Sequence, residues 1–243
     1  EDKDKYAITI FNCTFIRCRS NIEGGAVSSG LSQEIDGEKS KSGDNDLSFS
    51  LCKFIDCQSG KGGALYFQDG DEKGDEVTYI STCNFTNCSA TGGQGYAISC
   101  QSYKISINNC RFNGHKQQAI DANHCIAYVE MNEEKVTPSL DSNTFEDNSG
   151  VTALTLKVKN SVTISQLTFT NYHYDKPEST YCIDLSSWSI EGELTFDNCH
   201  FTKIVNSQCI SCFNSQFKTL IQKCHFNDVS MKFGSTSGSI EQI

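Results

Sequence analysis

Ile80-Ser81-Thr82-Cys83-Asn84-Phe85-Thr86-Asn87-Cys88 is one copy of a phrase that recurs along the whole chain. Its aromatic anchor returns as Phe15, Phe54, Phe85, Phe112, Phe145, Phe169, Phe201 and Phe226, a period of about thirty residues. Two places ahead of each anchor stand Cys13, Cys52, Cys83, Cys110, Asn143, Leu167, Cys199 and Cys224, and five places ahead stand Ile10, Phe49, Ile80, Ile107, Leu140, Ile164, Phe196 and Ile221.

Between successive anchors lies a second phrase, a small residue followed by an aliphatic one: Ala26-Val27, Ala64-Leu65, Ala97-Ile98, Ala119-Ile120, Ala153-Leu154, Cys182-Ile183 and Cys209-Ile210. Two places beyond the aliphatic residue come Ser29, Phe67, Cys100, Ala122, Leu156, Leu185 and Cys212, while Ser28, Tyr66, Ser99, Asp121, Thr155, Asp184 and Ser211 stand between. The alternation has the period of a strand whose faces differ.

Each repeat therefore holds two or three short strands and no helical stretch long enough to cover a sheet. A unit of this size cannot close a core alone, but stacked on its neighbours with strands about 4.8 Å apart it builds continuous parallel sheets. The expected fold is all-β, a single-stranded parallel β-helix (solenoid) of about eight coils, right-handed as β-crossovers almost always are. Only two prolines occur, Pro138 and Pro177, both where repeat length varies, so strand interiors are expected to keep their amide donors. Residues 1–243 read as one domain. The first strand phrase begins at Ala7 and the last repeat stops at Ile243, so the chain reads as a segment of a longer protein cut in mid-coil. Glu1-Asp2-Lys3-Asp4-Lys5 is no signal peptide, and no apolar run could span a bilayer, so any membrane contact is expected through parent segments alone.

Gly24-Gly25-Ala26-Val27, Gly62-Gly63-Ala64-Leu65 and phrases such as Phe145-Glu146-Asp147-Asn148 resemble the paired Gly-Gly-Ala-aliphatic and Phe-x-x-Asn motifs of the chlamydial polymorphic membrane proteins and similar protist surface proteins. The resemblance implies a surface-displayed, often adhesive β-helix. It is uneven: Gly92-Gly93-Gln94-Gly95-Tyr96-Ala97 stretches the first motif, later repeats keep only the small-aliphatic pair, and Cys18, Cys57 and Cys88 stand where the second has Asn.

Fourteen cysteines raise the question of bonding. Side chains stacked in register on parallel strands sit about 4.8 Å apart, beyond the usual disulfide Cβ separation of about 3.8 Å. Buried reduced thiols are thus expected along most of the Cys13-Cys52-Cys83-Cys110 column; Cys18-Cys57-Cys88 and the Cys209/Cys212 pair stay open. Zinc finds no support from a single Cys-x-x-Cys. Asn12, Asn84 and Asn87 open acceptor sequons for N-glycosylation, which with the cysteine content favours a secreted or cell-surface protein.

Repeat length varies mainly between the small-aliphatic phrase and the next Cys-column position, so loops of uneven length are expected at one edge, the usual place of a binding face in repeat proteins. Negative charge collects there: Glu34, Asp36, Glu38, Asp44 and Asp46; Asp69, Asp71, Glu72, Asp75 and Glu76; Glu130, Glu133 and Glu134. With net charge −10 and no basic stripe, nucleic acid is a poor partner. Asp69, Asp71 and Asp75 could offer oxygens to Ca²⁺, although an EF-hand spacing is not met; the sequence asks for no cofactor.

Parallel β-helices also carry polysaccharide-processing activities of the pectate-lyase type. The best catalytic pair would be Asp121 and Asp184, two coils apart and about 9.6 Å if in register, the wide end for an inverting pair. No polygalacturonase-like residue set accompanies them, and His115, His124, His173, His200 and His225 form no triad with an obvious nucleophile. The reading is a non-catalytic extracellular β-helix whose acidic loops meet a host or neighbouring-cell protein or glycan; alternatives are that enzyme, and a filament or coat component self-associating end to end.

Overall fold

The computed structural model describes residues 7–29, 46–68, 77–92, 94–101, 104–116, 124–131, 138–158, 161–173, 181–185, 192–211, 217–229 and 240–242. Every strand pairing among them is parallel, and no helix occurs among the described residues. One wall is an eight-stranded sheet carrying the Phe anchors: Thr14–Ile16, Lys53–Ile55, Asn84–Thr86, Arg111–Asn113, Thr144–Glu146, Thr168–His173, His200–Val205 and His225–Val229. A second wall is a seven-stranded sheet of Val27–Ser29, Leu65–Gln68, Ile98–Gln101, Cys125–Glu130, Thr152–Lys157, Tyr181–Asp184 and Gln208–Ser211.

The third wall, which carries the column from Ile10 to Ile221, is interrupted. Ala7–Phe11, Asp46–Ser50, Thr78–Ser81 and Ile105–Asn108 form one sheet, and Val162–Ser165, Gly192–Asp197, Phe217–Gln222 and Ile240–Gln242 form another. Between them the described residues contribute only an isolated bridge from Ser139 to Ser106. Pro138, one place earlier, has no N–H to give the ladder, and the strand shrinks to the residue after it. The expectation that both prolines spare the strands fails at Pro138; Pro177 lies outside the described residues.

Register is uniform, and it stacks like on like. The eight Phe rings pile face to face at centroid spacings of 4.7–5.2 Å, with planes within 10° of parallel. Each contact of this kind adds about 0.5–1.5 kcal/mol beyond area burial. Phe49, Ile80, Ile107, Leu140, Ile164, Phe196 and Ile221 form the second buried stack and Leu65, Ile98, Leu154, Ile183 and Ile210 most of the third, with Ile10 and Val27 half-covered at one end.

In the third stack the expectation for Ala119-Ile120 is corrected. Ile98 pairs with Ala127, which pairs with Leu154, so Ala127 fills the place assigned to Ile120, Tyr128 that of Asp121 and Val129 that of Ala122. Residues 117–123 lie outside the described residues. The run Cys125-Ile126-Ala127-Tyr128-Val129 wins the strand because aromatic and β-branched side chains fit a pleated, packed surface better than Ala119-Ile120-Asp121-Ala122.

The corners around the Phe strand follow one rule. The residue before each Cys-column position is left-handed: Asn12, Leu51, Thr82, Asn109, Ser142, Gln166, Asn198 and Lys223 have φ of 52–58°. A second left-handed residue follows the Phe strand core at Arg17, Asp56, Asn87, Gly114, Asp147, Asn171, Lys203 and Asp228. The chain thus bends on both sides of the anchor and sends the next side chain inward. At the third corner glycine does this work: Gly62 has φ 58°, and a Cβ on Gly63 would run into the carbonyl oxygen of Tyr96 in the next repeat.

Leu51 is the costly case among these, a bulky side chain held left-handed at φ 56° while 44% exposed. Left-handed backbone costs an ordinary residue about 1–2 kcal/mol, and asparagine tolerates it better. Leu51→Asn is expected to raise stability by about 1 kcal/mol in urea unfolding; an unchanged or lowered midpoint would count against strain at this corner.

Candidate functional site

The inward residue after a left-handed corner is a hydrogen-bond donor in most repeats; Cys83 meets only Ser81 O two residues back, while the thiols that follow lie between that local carbonyl and one of the preceding repeat. Cys52 Sγ donates to Ile10 O at 3.4 Å, Cys110 Sγ to Ile80 O at 3.6 Å, Cys199 Sγ to Ile164 O at 3.7 Å and Cys224 Sγ to Phe196 O at 3.6 Å. At the other corner Cys57 Sγ reaches Phe15 O at 3.7 Å and Cys88 Sγ reaches Phe54 O at 3.6 Å. Each acceptor belongs to the apolar anchor of the preceding repeat. Asn143 and Asn148 occupy the same two slots and do the same with amides, Nδ2 donating to Ile107 O at 2.6 Å and to Phe112 O at 3.2 Å. Their Oδ1 atoms also accept main-chain N–H groups, from Cys110 at 2.9 Å and His115 at 2.8 Å. Cys and Asn are thus both inward donors within reach of a strand carbonyl of the preceding repeat, and this accounts physically for Cys standing where the resembling motif has Asn.

All thirteen described cysteines are unbonded. The expectation of reduced, buried thiols holds at Cys52, Cys83 and Cys110; Cys13, at the outer end of the column, is exposed. Of the positions left open, Cys57 and Cys88 are buried and Cys18 is half-buried, while Cys212 lies outside the described residues. At the opposite end the half-buried Cys224 is pushed down to about 7, first because the Cys199 thiol hydrogen-bonds its sulfur, and Cys199 is pushed up in return.

His115 continues the Cys18-Cys57-Cys88 column and is fully buried. Its Nδ1 lies 3.1 Å from Asn148 Oδ1, and its Nε2 meets no partner. Burial drives it down to about 4, against a smaller opposing effect of Asn148. His124 is also buried, its ring edge-on to Tyr96 at 5.1 Å, and burial lowers it too.

The face of the second wall turned away from the core carries two rows of polar groups. One runs Tyr66, Ser99, Tyr128, Thr155, Asp184 and Ser211, and the other Gln68, Gln101, Glu130 and Lys157. The rows interlock: Tyr128 Oη donates to Glu130 Oε2 at 2.6 Å, Gln101 Nε2 donates to the same oxygen at 3.1 Å, and Lys157 Nζ sits 5.2 Å over the Tyr128 ring. The alternation expected from sequence is present, but the outward row is not solvated: Tyr66, Ser99, Tyr128 and Ser211 are all buried. Burial, followed by the nearby Glu23 carboxylate, pushes Tyr66 up to about 12; burial and Glu130 raise Tyr128. Such a strip can orient hydroxyl and amide groups.

Of the acidic binding-loop residues, Glu34, Asp36, Glu38, Asp44, Asp69, Asp71, Asp75 and Glu76 lie outside the described residues, and the Ca²⁺ candidates Asp69, Asp71 and Asp75 with them. So do Glu72, Glu133 and Glu134. Asp46 belongs to a strand instead of a loop, its Oδ1 accepting Val77 N–H at 3.1 Å. Asp184 closes the strand Tyr181–Asp184 in register with Thr155 and Ser211. Asp121 lies outside the described residues, and since Tyr128 holds the place assumed for it, the coil-spacing argument for an Asp121/Asp184 pair no longer applies. Among the sequon asparagines, Asn12 and Asn87 are exposed left-handed corner residues, Asn87 donating to Asp56 Oδ1 at 2.7 Å, and Asn84 is half-buried on a strand. No group of three or more His, Cys, Asp or Glu side chains fit to hold a metal occurs among the described residues.

Two outcomes follow from the interior groups. Since His115 titrates at about 4 when folded against about 6.5 when free, the unfolded chain takes up its proton first. Stability is expected to fall as pH drops from 6.5 to 4, by roughly 3 kcal/mol from this group. His115→Asn should flatten that slope in pH-dependent unfolding. Native-state alkylation at pH 7.5 is expected to label Cys13, Cys18 and Cys224 and spare Cys52, Cys57, Cys83, Cys88 and Cys110; mass spectrometry that finds the second group labelled equally fast would contradict the burial of the ladders.

Comparison with protein-family models, with curated proteins and with solved structures finds no match.

Proposed function

We propose that the chain is a right-handed parallel β-helix of about eight coils that acts without catalysis as a recognition or adhesion module at a cell surface or outside the cell, its ligand a protein or glycan of a host or neighbouring cell. The observation that carries this reading is the contrast between corners. Around the Phe strand the corners are constant in every repeat. The connection from the second wall to the third varies widely instead, running from Ser29 to Asp46, from Gln68 to Thr78, from Gln101 to only Ile105, from Asp184 to Gly192 and from Ser211 to Phe217. A scaffold that holds one side constant and varies the other is the arrangement in which repeat proteins carry binding loops. The resemblance of the Gly-Gly-Ala and Phe-x-x-Asn phrases to polymorphic membrane protein repeats supports surface display, and the net charge of −10 favours a ligand that is neutral or basic.

The experiment removes charge and length while leaving the strands whole. Shortening residues 32–44 and 69–76, which spares Asp46 and Gln68 in their strands, is expected to keep the unfolding transition and to lower binding to host-type cells and to a glycan array. Polysaccharide cleavage by the parent chain, lost in Asp184→Asn, would overturn the non-catalytic reading, as would undiminished binding after both deletions.

A further inference from the structure

We propose that His200 and His225 form a two-histidine site for a divalent transition ion, Zn²⁺ by its geometry, on the outer face of the phenylalanine sheet. The two residues are register partners on neighbouring strands, each one place before a stacked anchor. Their rings lie 4.8 Å apart and 20° from parallel. The main chain beneath is fixed, His200 N–H donating to Leu167 O and His225 N–H to Cys199 O, both at 2.8 Å. His200 is half-buried and His225 exposed, so the pair is open to solvent from one side. Neither ring has a hydrogen-bond partner among the described residues, whereas Arg111, in the same outward column, is tied to Glu146. Lys223, the near cation in sequence, is turned toward Asp197 at 3.7 Å.

The chemistry follows from the spacing. Like nitrogens of two nearly parallel rings in register start about as far apart as the rings, and tetrahedral Zn²⁺ with bonds of about 2.0–2.1 Å needs them about 3.4 Å apart. Rotation about the broad χ2 of each imidazole closes that gap without moving the strands. The smaller nitrogen separation of a square-planar Cu²⁺ site asks for more, although Cu²⁺ binds nitrogen donors more strongly in general. Two residues on, Thr202 and Asn227 stand on the same face, also as register partners, and offer uncharged oxygens. With only two imidazoles from the chain, the remaining positions are left for water or for a donor on a bound partner.

The test is a Zn²⁺ titration of the full chain at pH 7.5, followed by imidazole ¹H–¹⁵N spectra, in a Cys13→Ser/Cys18→Ser/Cys224→Ser background so that the reachable thiols do not compete. His200 and His225 ring nitrogens are expected to shift together and saturate near one equivalent. Asparagine occurs in the same column at Asn84, so His200→Asn and His225→Asn fit the strand, and each is expected to weaken the response of the other ring by at least about tenfold. Unmoved resonances of both rings at millimolar Zn²⁺ would overturn the site, as would a His200 response that persists undiminished in His225→Asn.

Discussion

The architecture depends on one constraint, the disposal of main-chain carbonyls where the chain turns on either side of the Phe strand. A left-handed residue makes the turn, and the following side chain enters the core, in several repeats carrying an N–H or S–H within reach of a carbonyl of the neighbouring repeat's apolar anchor. Because the bond runs from one repeat to the next, it ties bend to register. Register in turn is what superimposes the Phe rings, since a slip of one residue would turn every anchor outward.

Donor strength varies along the stack. Thiols serve in the early repeats and again at Cys199 and Cys224, Asn143 and Asn148 serve in the middle, and hydrocarbon fills the slot at Leu167, Ile204 and Val229. A thiol is a weak donor that packs like a small hydrophobe, so it satisfies the carbonyl and fills volume together. The asparagines bond in two directions, and they stand in the repeat where Pro138 has broken the third wall. The strongest side-chain connections thus coincide with the weakest main-chain ladder.

The columns were legible because they rest on large side chains at constant offsets: Phe15 to Phe226, Ile10 to Ile221 and the cysteines between them needed only counting. Ala119-Ile120 misleads because a small-aliphatic pair is a faint signal; the period-two run from Cys125 to Val129 is the cue that locates the strand. The left-handed corners were not legible, since Leu51, Thr82, Gln166 and Lys203 carry no turn signature and are held there by their neighbours. For the outward row, sequence supplied the direction of Tyr66, Ser99 and Tyr128 but not their burial, which depends on what the rest of the chain lays over them. The pairing of His200 with His225 is written in their shared spacing to Phe201 and Phe226, since equal offsets from stacked anchors make register partners.

The parallel ladders have a mechanical consequence. Nearly all cross-repeat bonds point along the stacking direction, so tension applied between the first and last repeats would peel them open in sequence instead of shearing many at once. A chain of nearest-neighbour contacts yields in small steps, each ending at the next intact pair of Phe rings. Under pulling, the molecule would lengthen progressively and dissipate work before it failed.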